Sequence, residues 1–82
     1  MEITTTPLDG LLVIKPKVIY DSRGYFFEPY NKQRYAEVGI TLEFVQDNQS
    51  MSNLGAVRGL HFQSPPFEQG KLVRVVAGAV LD

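Results

Sequence analysis

An all-β fold, a sandwich or a barrel, is what this sequence predicts, and three observations carry it. Short β-rich runs recur along the chain, turn signals separate them at close spacing, and only one stretch has the marks of a helix. Residues 11–14 (Leu-Leu-Val-Ile) and 18–20 (Val-Ile-Tyr) are the first two strand candidates. Pro16 between them has no N–H for a central ladder, so it marks an edge or a break. Asp21-Ser-Arg-Gly24 is a turn, with Asp at its first position and Gly at its fourth. Residues 25–30 (Tyr-Phe-Phe-Glu-Pro-Tyr) read as the strand that follows it. Asn31 can cap a short helix over residues 32–38, which Gly39 ends.

Residues 42–46 (Leu-Glu-Phe-Val-Gln) predict another strand, and residues 47–53 are a polar stretch. Two further strands are expected over 56–63 and 71–76, joined by a loop containing Pro65-Pro66. Ala79 opens one more, and Val80-Leu81-Asp82 stops inside it without a turn or a polar tail. A sheet ending there leaves an unpaired edge, which proteins normally cover or blunt. Residues 1–82 are therefore expected to be the N-terminal portion of a single, larger β-domain. No internal repeat, linker or low-complexity segment interrupts them.

Composition narrows the function classes. Eighty-two residues make at most one small domain, a size at which folding buries only about 60% of the unfolded chain's surface. Hydrophobic residues at 44% and charged residues at 21% suit a soluble globular protein. A net charge of -1 argues against nucleic acid as the main partner. Without cysteine there is neither a disulfide framework nor a thiolate metal site. Apolar runs fall far short of the ~20 residues of a membrane span. The first residues lack the basic start and apolar stretch of a signal peptide, so a cytoplasmic location is expected.

The chemistry concentrates between Arg58 and Arg74. Arg58-Gly-Leu-His-Phe-Gln63 holds the only histidine, and Gln69-Gly-Lys-Leu-Val-Arg74 brings a lysine ten positions later. A lone His is commonly a hydrogen-bonded structural residue. In a strand, Val57, His61 and Gln63 would share one face and Arg58, Leu60 and Phe62 the other. Gly59 in mid-strand suggests a bulge that could turn Arg58 toward the same cavity as His61. Lys71 would share an apolar face with Val73 and Val75, where an ammonium needs a partner or a task. A Lys at a strand start snorkelling to water fits the spacing equally well.

Two further stretches qualify. In Asp21-Ser-Arg-Gly-Tyr-Phe-Phe-Glu28, Arg23 offers a bidentate fork for phosphate oxygens, and Phe26 can stack on a base or sugar face. In Gln46-Asp-Asn48, side-chain amides can read the imide edge of a pyrimidine. Taken alone, each favours the ordinary reading, a solvated turn or strand end, and Glu28 beside Pro29 fits an edge-strand charge. A metal reading rests on Gly55, His61, Gln63 and Glu68, whose spacing runs close to the first metal motif of cupin barrels. Gln stands where that motif has a second His, and amides are poor transition-metal ligands, so no metal is expected.

Together, Asp21-Ser-Arg-Gly-Tyr-Phe-Phe-Glu28, Phe44-Val-Gln-Asp-Asn48, Arg58-Gly-Leu-His-Phe-Gln63 and Gln69-Gly-Lys-Leu-Val-Arg-Val75 resemble the dTDP-4-dehydrorhamnose 3,5-epimerase family, in its order and spacing. The resemblance implies a metal-free cupin: a jelly-roll barrel, usually a homodimer exchanging N-terminal strands, active in dTDP-L-rhamnose and surface-polysaccharide synthesis. It implies that His61 is the proton acceptor and that Lys71 lies near the keto oxygen. It also implies that Arg23, Phe26, Glu28, Gln46, Asp47, Asn48 and Arg58 bind the sugar nucleotide, the arginines at its diphosphate.

The chemistry fits these residue types. In dTDP-4-dehydro-6-deoxyglucose, the protons at C3 and C5 are both α to a carbonyl, so one base can serve both centres. Histidine's ordinary pKa of about 6.5 suits that base. A cation at the carbonyl oxygen stabilises the enolate, and return of the proton from the other ring face inverts the carbon. No cofactor is needed. The family's proton-donating Tyr and His-orienting Asp belong to its second half, and none of Tyr20, Tyr25, Tyr30 and Tyr35 occupies the donor's motif. Two alternatives follow: an inactive remnant that binds a sugar nucleotide or dimerises, and, more remotely, a metal-dependent cupin.

Overall fold

A computed structural model covers residues 1–82, which fall into two units, Met1–Thr41 and Leu42–Asp82. All of the strand and helix lies in the first unit. It opens with β1 (Glu2–Thr5) and β2 (Leu12–Lys15), an antiparallel pair in which Ile3 faces Ile14 and Thr5 faces Leu12. Side chains alternate along a strand, and here Ile3, Leu12 and Ile14 are half-buried while Val13 and Lys15 are exposed. Thr6 ties the connection: its hydroxyl lies 2.9 Å from the Leu11 carbonyl and accepts the Leu8 N–H at 3.2 Å. β2 is the expected first strand, one residue later; β1 is additional. Its signal was the β-branched run Ile3-Thr-Thr-Thr6 ahead of the turn residues Pro7, Asp9 and Gly10.

Pro16 separates this pair from a hairpin of β3 (Ile19–Asp21) and β4 (Gly24–Phe26), registered Ile19 to Phe26 and Tyr20 to Tyr25. The predicted turn joins them. Asp21 Oδ1 accepts the Arg23 N–H at 2.8 Å, and Gly24 takes a φ of 135° that residues with a β-carbon rarely adopt. The strand expected over 25–30 ends early, at Phe26, because Pro29 brings no donor and the chain turns into a helix.

That helix, α1 (Lys32–Glu37), forms where the sequence placed it. Asn31 is extended (φ -146°, ψ 120°) and its Oδ1 accepts the Arg34 N–H at 3.0 Å. At the other end Gly39 (φ 90°) donates to Ala36 O at 3.0 Å, and Ile40 donates to Tyr35 O at 2.9 Å. Those two bonds form a Schellman motif, which satisfies carbonyls that a helix end leaves open. Tyr35 is the one buried side chain, 3% exposed. Its hydroxyl donates to Pro29 O at 2.6 Å and its ring meets Tyr30 edge-on, centroids 4.9 Å apart.

The second unit corrects the sequence expectation. Residues 42–46, 56–63, 71–76 and 79–82 form no strands, and every residue from 51 onward is exposed. Isolated turns shape it, closed by Ala56 N–H to Asn53 O at 3.1 Å and Phe67 N–H to Ser64 O at 2.9 Å. The alternating faces predicted for His61 and Lys71 therefore do not exist, and Val73 and Val75 are exposed rather than inward. Strand propensity is largely packing against neighbouring strands, and these runs have none beside them. The regular structure is mainly antiparallel strand with one short helix, as an all-β class requires.

Candidate functional site

Within the second unit an open hollow of about 340 Å³ is lined by His61, Phe62, Gln63, Glu68, Gln69 and Lys71. The cis Pro65-Pro66 loop lies between its two lining segments. An imidazole and a lysine lining one hollow are the residue types that can remove a proton and receive the negative charge it leaves behind. His61, Gln63 and Glu68 of the metal reading all line this hollow, yet no three His, Asp or Glu side chains gather as a metal-binding group.

Arg58 stands nearby in sequence but outside that lining. Its Nε donates to Ser52 Oγ at 2.8 Å and its Nη2 to the Met51 carbonyl at 3.0 Å. The Gly59 bulge expected to aim it at His61 is absent, since no strand forms there. Gln46 and Asn48 are joined through their side chains, Nε2 to Oδ1 at 3.5 Å, while Asp47 between them is exposed. None of these three lines the hollow.

The first unit holds Arg23, Phe26 and Glu28. Arg23 grips Asp21 Oδ2 through Nη2 at 2.6 Å and Nε at 3.2 Å, with its side chain 88% exposed. That contact, reinforced by the Arg23 backbone N–H, holds the Asp21 carboxyl below the usual carboxylate range. Phe26 and Glu28 share a cleft of about 210 Å³ with Asn31, Arg34 and Tyr35. Glu28 is paired there with Arg34, Oε1 to Nη1 at 3.4 Å. Burial, and secondarily the neighbouring Tyr30, push the Tyr35 phenol up.

Arg34 and Ser52 hold two of these side chains, and neither stands in a motif of the sequence. Arg34 gave no separate signal, since it lies on the helix that Asn31 caps while its partner Glu28 lies before that helix. Ser52 gave no signal, because its contact with Arg58 spans six residues of irregular chain.

Comparison with known proteins bears on this arrangement. The chain is 52% identical over 77 residues to a dTDP-4-dehydrorhamnose 3,5-epimerase of Methanothermobacter thermautotrophicus, covering 94% of this chain and 41% of that protein. It is 48% identical over 83 residues to the enzyme of that name from Shigella flexneri, covering all of this chain and 46% of the relative. A Streptomyces niveus protein named dTDP-4-dehydrorhamnose 3-epimerase is 40% identical over 83 residues, covering all of this chain and 40% of its own length. The chain thus spans less than half the length of these curated relatives. No solved structure matches it. The family model described as dTDP-4-dehydrorhamnose 3,5-epimerase matches residues 5–82, which takes in every motif described above, and the chain belongs to that family.

Proposed function

We propose that this chain supplies the base and the enolate-stabilising cation for epimerisation of a dTDP-4-dehydro-6-deoxy sugar, toward dTDP-L-rhamnose. The carrying observation is that His61 and Lys71 line one hollow. His61 takes the proton at C3 or C5, and Lys71 meets the charge that develops on the keto oxygen. Arg23, Phe26, Glu28, Gln46, Asp47, Asn48 and Arg58 hold the nucleotide and diphosphate. Family membership supports these roles, and so does the spare donor capacity of both arginines.

Acting as the N-terminal portion of a cupin-type jelly roll, the chain works in the cytoplasm and pairs as a homodimer. Supporting the association, many large apolar side chains remain exposed, Leu54, Leu60 and Phe62 among them. No helix is long and apolar enough to cross a membrane.

A second reading, sugar-nucleotide binding without turnover, is favoured by one feature. No tyrosine lines the hollow with His61, so the phenol that the family resemblance implies as proton donor is not among its lining residues. One experiment separates the two. The purified chain is incubated with dTDP-4-dehydro-6-deoxyglucose in heavy water, and deuterium is followed at C3 and C5. Incorporation above a His61→Ala control is expected, by about 10²-fold or more for loss of a general base. Binding with no exchange above that control would establish the second reading instead.

A further inference from the structure

We propose that Ser52 is a positioning residue for Arg58, turning its guanidinium so that the outer fork is presented to the diphosphate. This rests on the assignment of Arg58 to that diphosphate. Four of a guanidinium's five N–H groups form two paired edges: a side edge of Nε and Nη2, and an end edge of Nη1 and Nη2. In Arg58 the side edge is occupied, Nε by Ser52 Oγ at 2.8 Å and Nη2 by the Met51 carbonyl at 3.0 Å. The end edge is what remains for two parallel bonds to phosphate oxygens, the geometry in which arginine binds them best.

Arg23 is held in the same way, with Nε and Nη2 both on Asp21 Oδ2. The holders differ in one important respect. Asp21 cancels the charge it orients, whereas a hydroxyl and a carbonyl orient Arg58 and leave its full positive charge for a ligand. Fixing a long exposed side chain before the anion arrives also lowers the ordering cost of binding. Arg58 is therefore the stronger anion site of the two, and Ser52 is the side chain that makes it so.

Titration with thymidine diphosphate tests this, comparing the 82-residue chain with Ser52→Ala, Ser52→Thr, Arg58→Ala and the Ser52→Ala/Arg58→Ala double variant. Ser52→Ala should weaken binding about fivefold, the worth of one hydrogen bond. Ser52→Thr, which keeps the hydroxyl, should restore it, and the double variant should bind as Arg58→Ala does. The Arg58 Nε–H resonance should move in Ser52→Ala and return in Ser52→Thr. If Arg58→Ala weakens binding and Ser52→Ala does not, Ser52 has no such role, although the diphosphate site stands. If Ser52→Ala weakens binding equally in the Arg58→Ala background, Ser52 acts on something other than Arg58, and the proposal fails. If Arg58→Ala binds as tightly as the unaltered chain, or that chain does not bind thymidine diphosphate, the site assignment falls and the proposal with it.

Discussion

Removing a proton next to a carbonyl puts negative charge on oxygen, so a base without a nearby cation does little; here His61 shares its hollow with Lys71. Lys71→Met keeps the chain length and removes the charge. It should slow deuterium entry at C3 and C5 by about 10²-fold, the scale of losing one group aimed at developing charge. Thymidine diphosphate, which lacks the 4-keto sugar, should bind the variant as before; an equal loss in both measurements would place Lys71 at the nucleotide instead. Asp21 offers a pH test. Arg23 holds its carboxyl below the usual range, so the contact favours the ordered hairpin above the ordinary carboxylate value near pH 4 and is lost as pH falls through the lowered value. A carboxyl resonance titrating at the ordinary midpoint would mean the pair does not persist in water. The residue types at both places were legible from spacing and motif. Ser52 and Arg34 were not, because their roles depend on which side chain they meet across a loop or along a helix.

Among the elements, α1 shows how far local rules reach. Six residues are too few for a stable isolated helix, so its ends and Tyr35 must hold it. Replacing Asn31 by Ala should cost about 1 kcal/mol and by Gly only a few tenths, measured by urea denaturation followed through helix circular dichroism. Equal losses would show that Asn31 does not act as a cap. Cap, stop signal and the Asp21-to-Gly24 turn were all readable, since each is settled within four or five residues of chain. Strands over 42–46, 56–63 and 71–76 were equally clear as propensity and still do not form. Their N–H and C=O groups need partners from distant chain, and propensity cannot supply these.

For the whole chain, the decisive quantity is exposed surface. The 82 residues expose 8334 Å², where a folded monomer of 9.2 kDa is expected to expose about 4,900 Å² and its unfolded chain about 13,300 Å². Denaturant sensitivity scales with the area uncovered on unfolding. The urea m value should therefore be about three-fifths of that for an ordinary domain of this mass. A full-sized m value would show that the chain in solution buries far more than Tyr35, and sedimentation across a concentration series would show whether a second copy provides the cover. What this sequence determined by itself is everything set by neighbouring residues: the hairpin turn, the capped helix, the motif set of its family and the residue types of a proton-transfer site. The tertiary structure alone decided which strand-prone runs pair, that His61 and Lys71 line one hollow, and that Ser52 holds Arg58. Those outcomes depend on which groups meet across a turn or loop, and the energy of such contacts appears only once the chain has closed it.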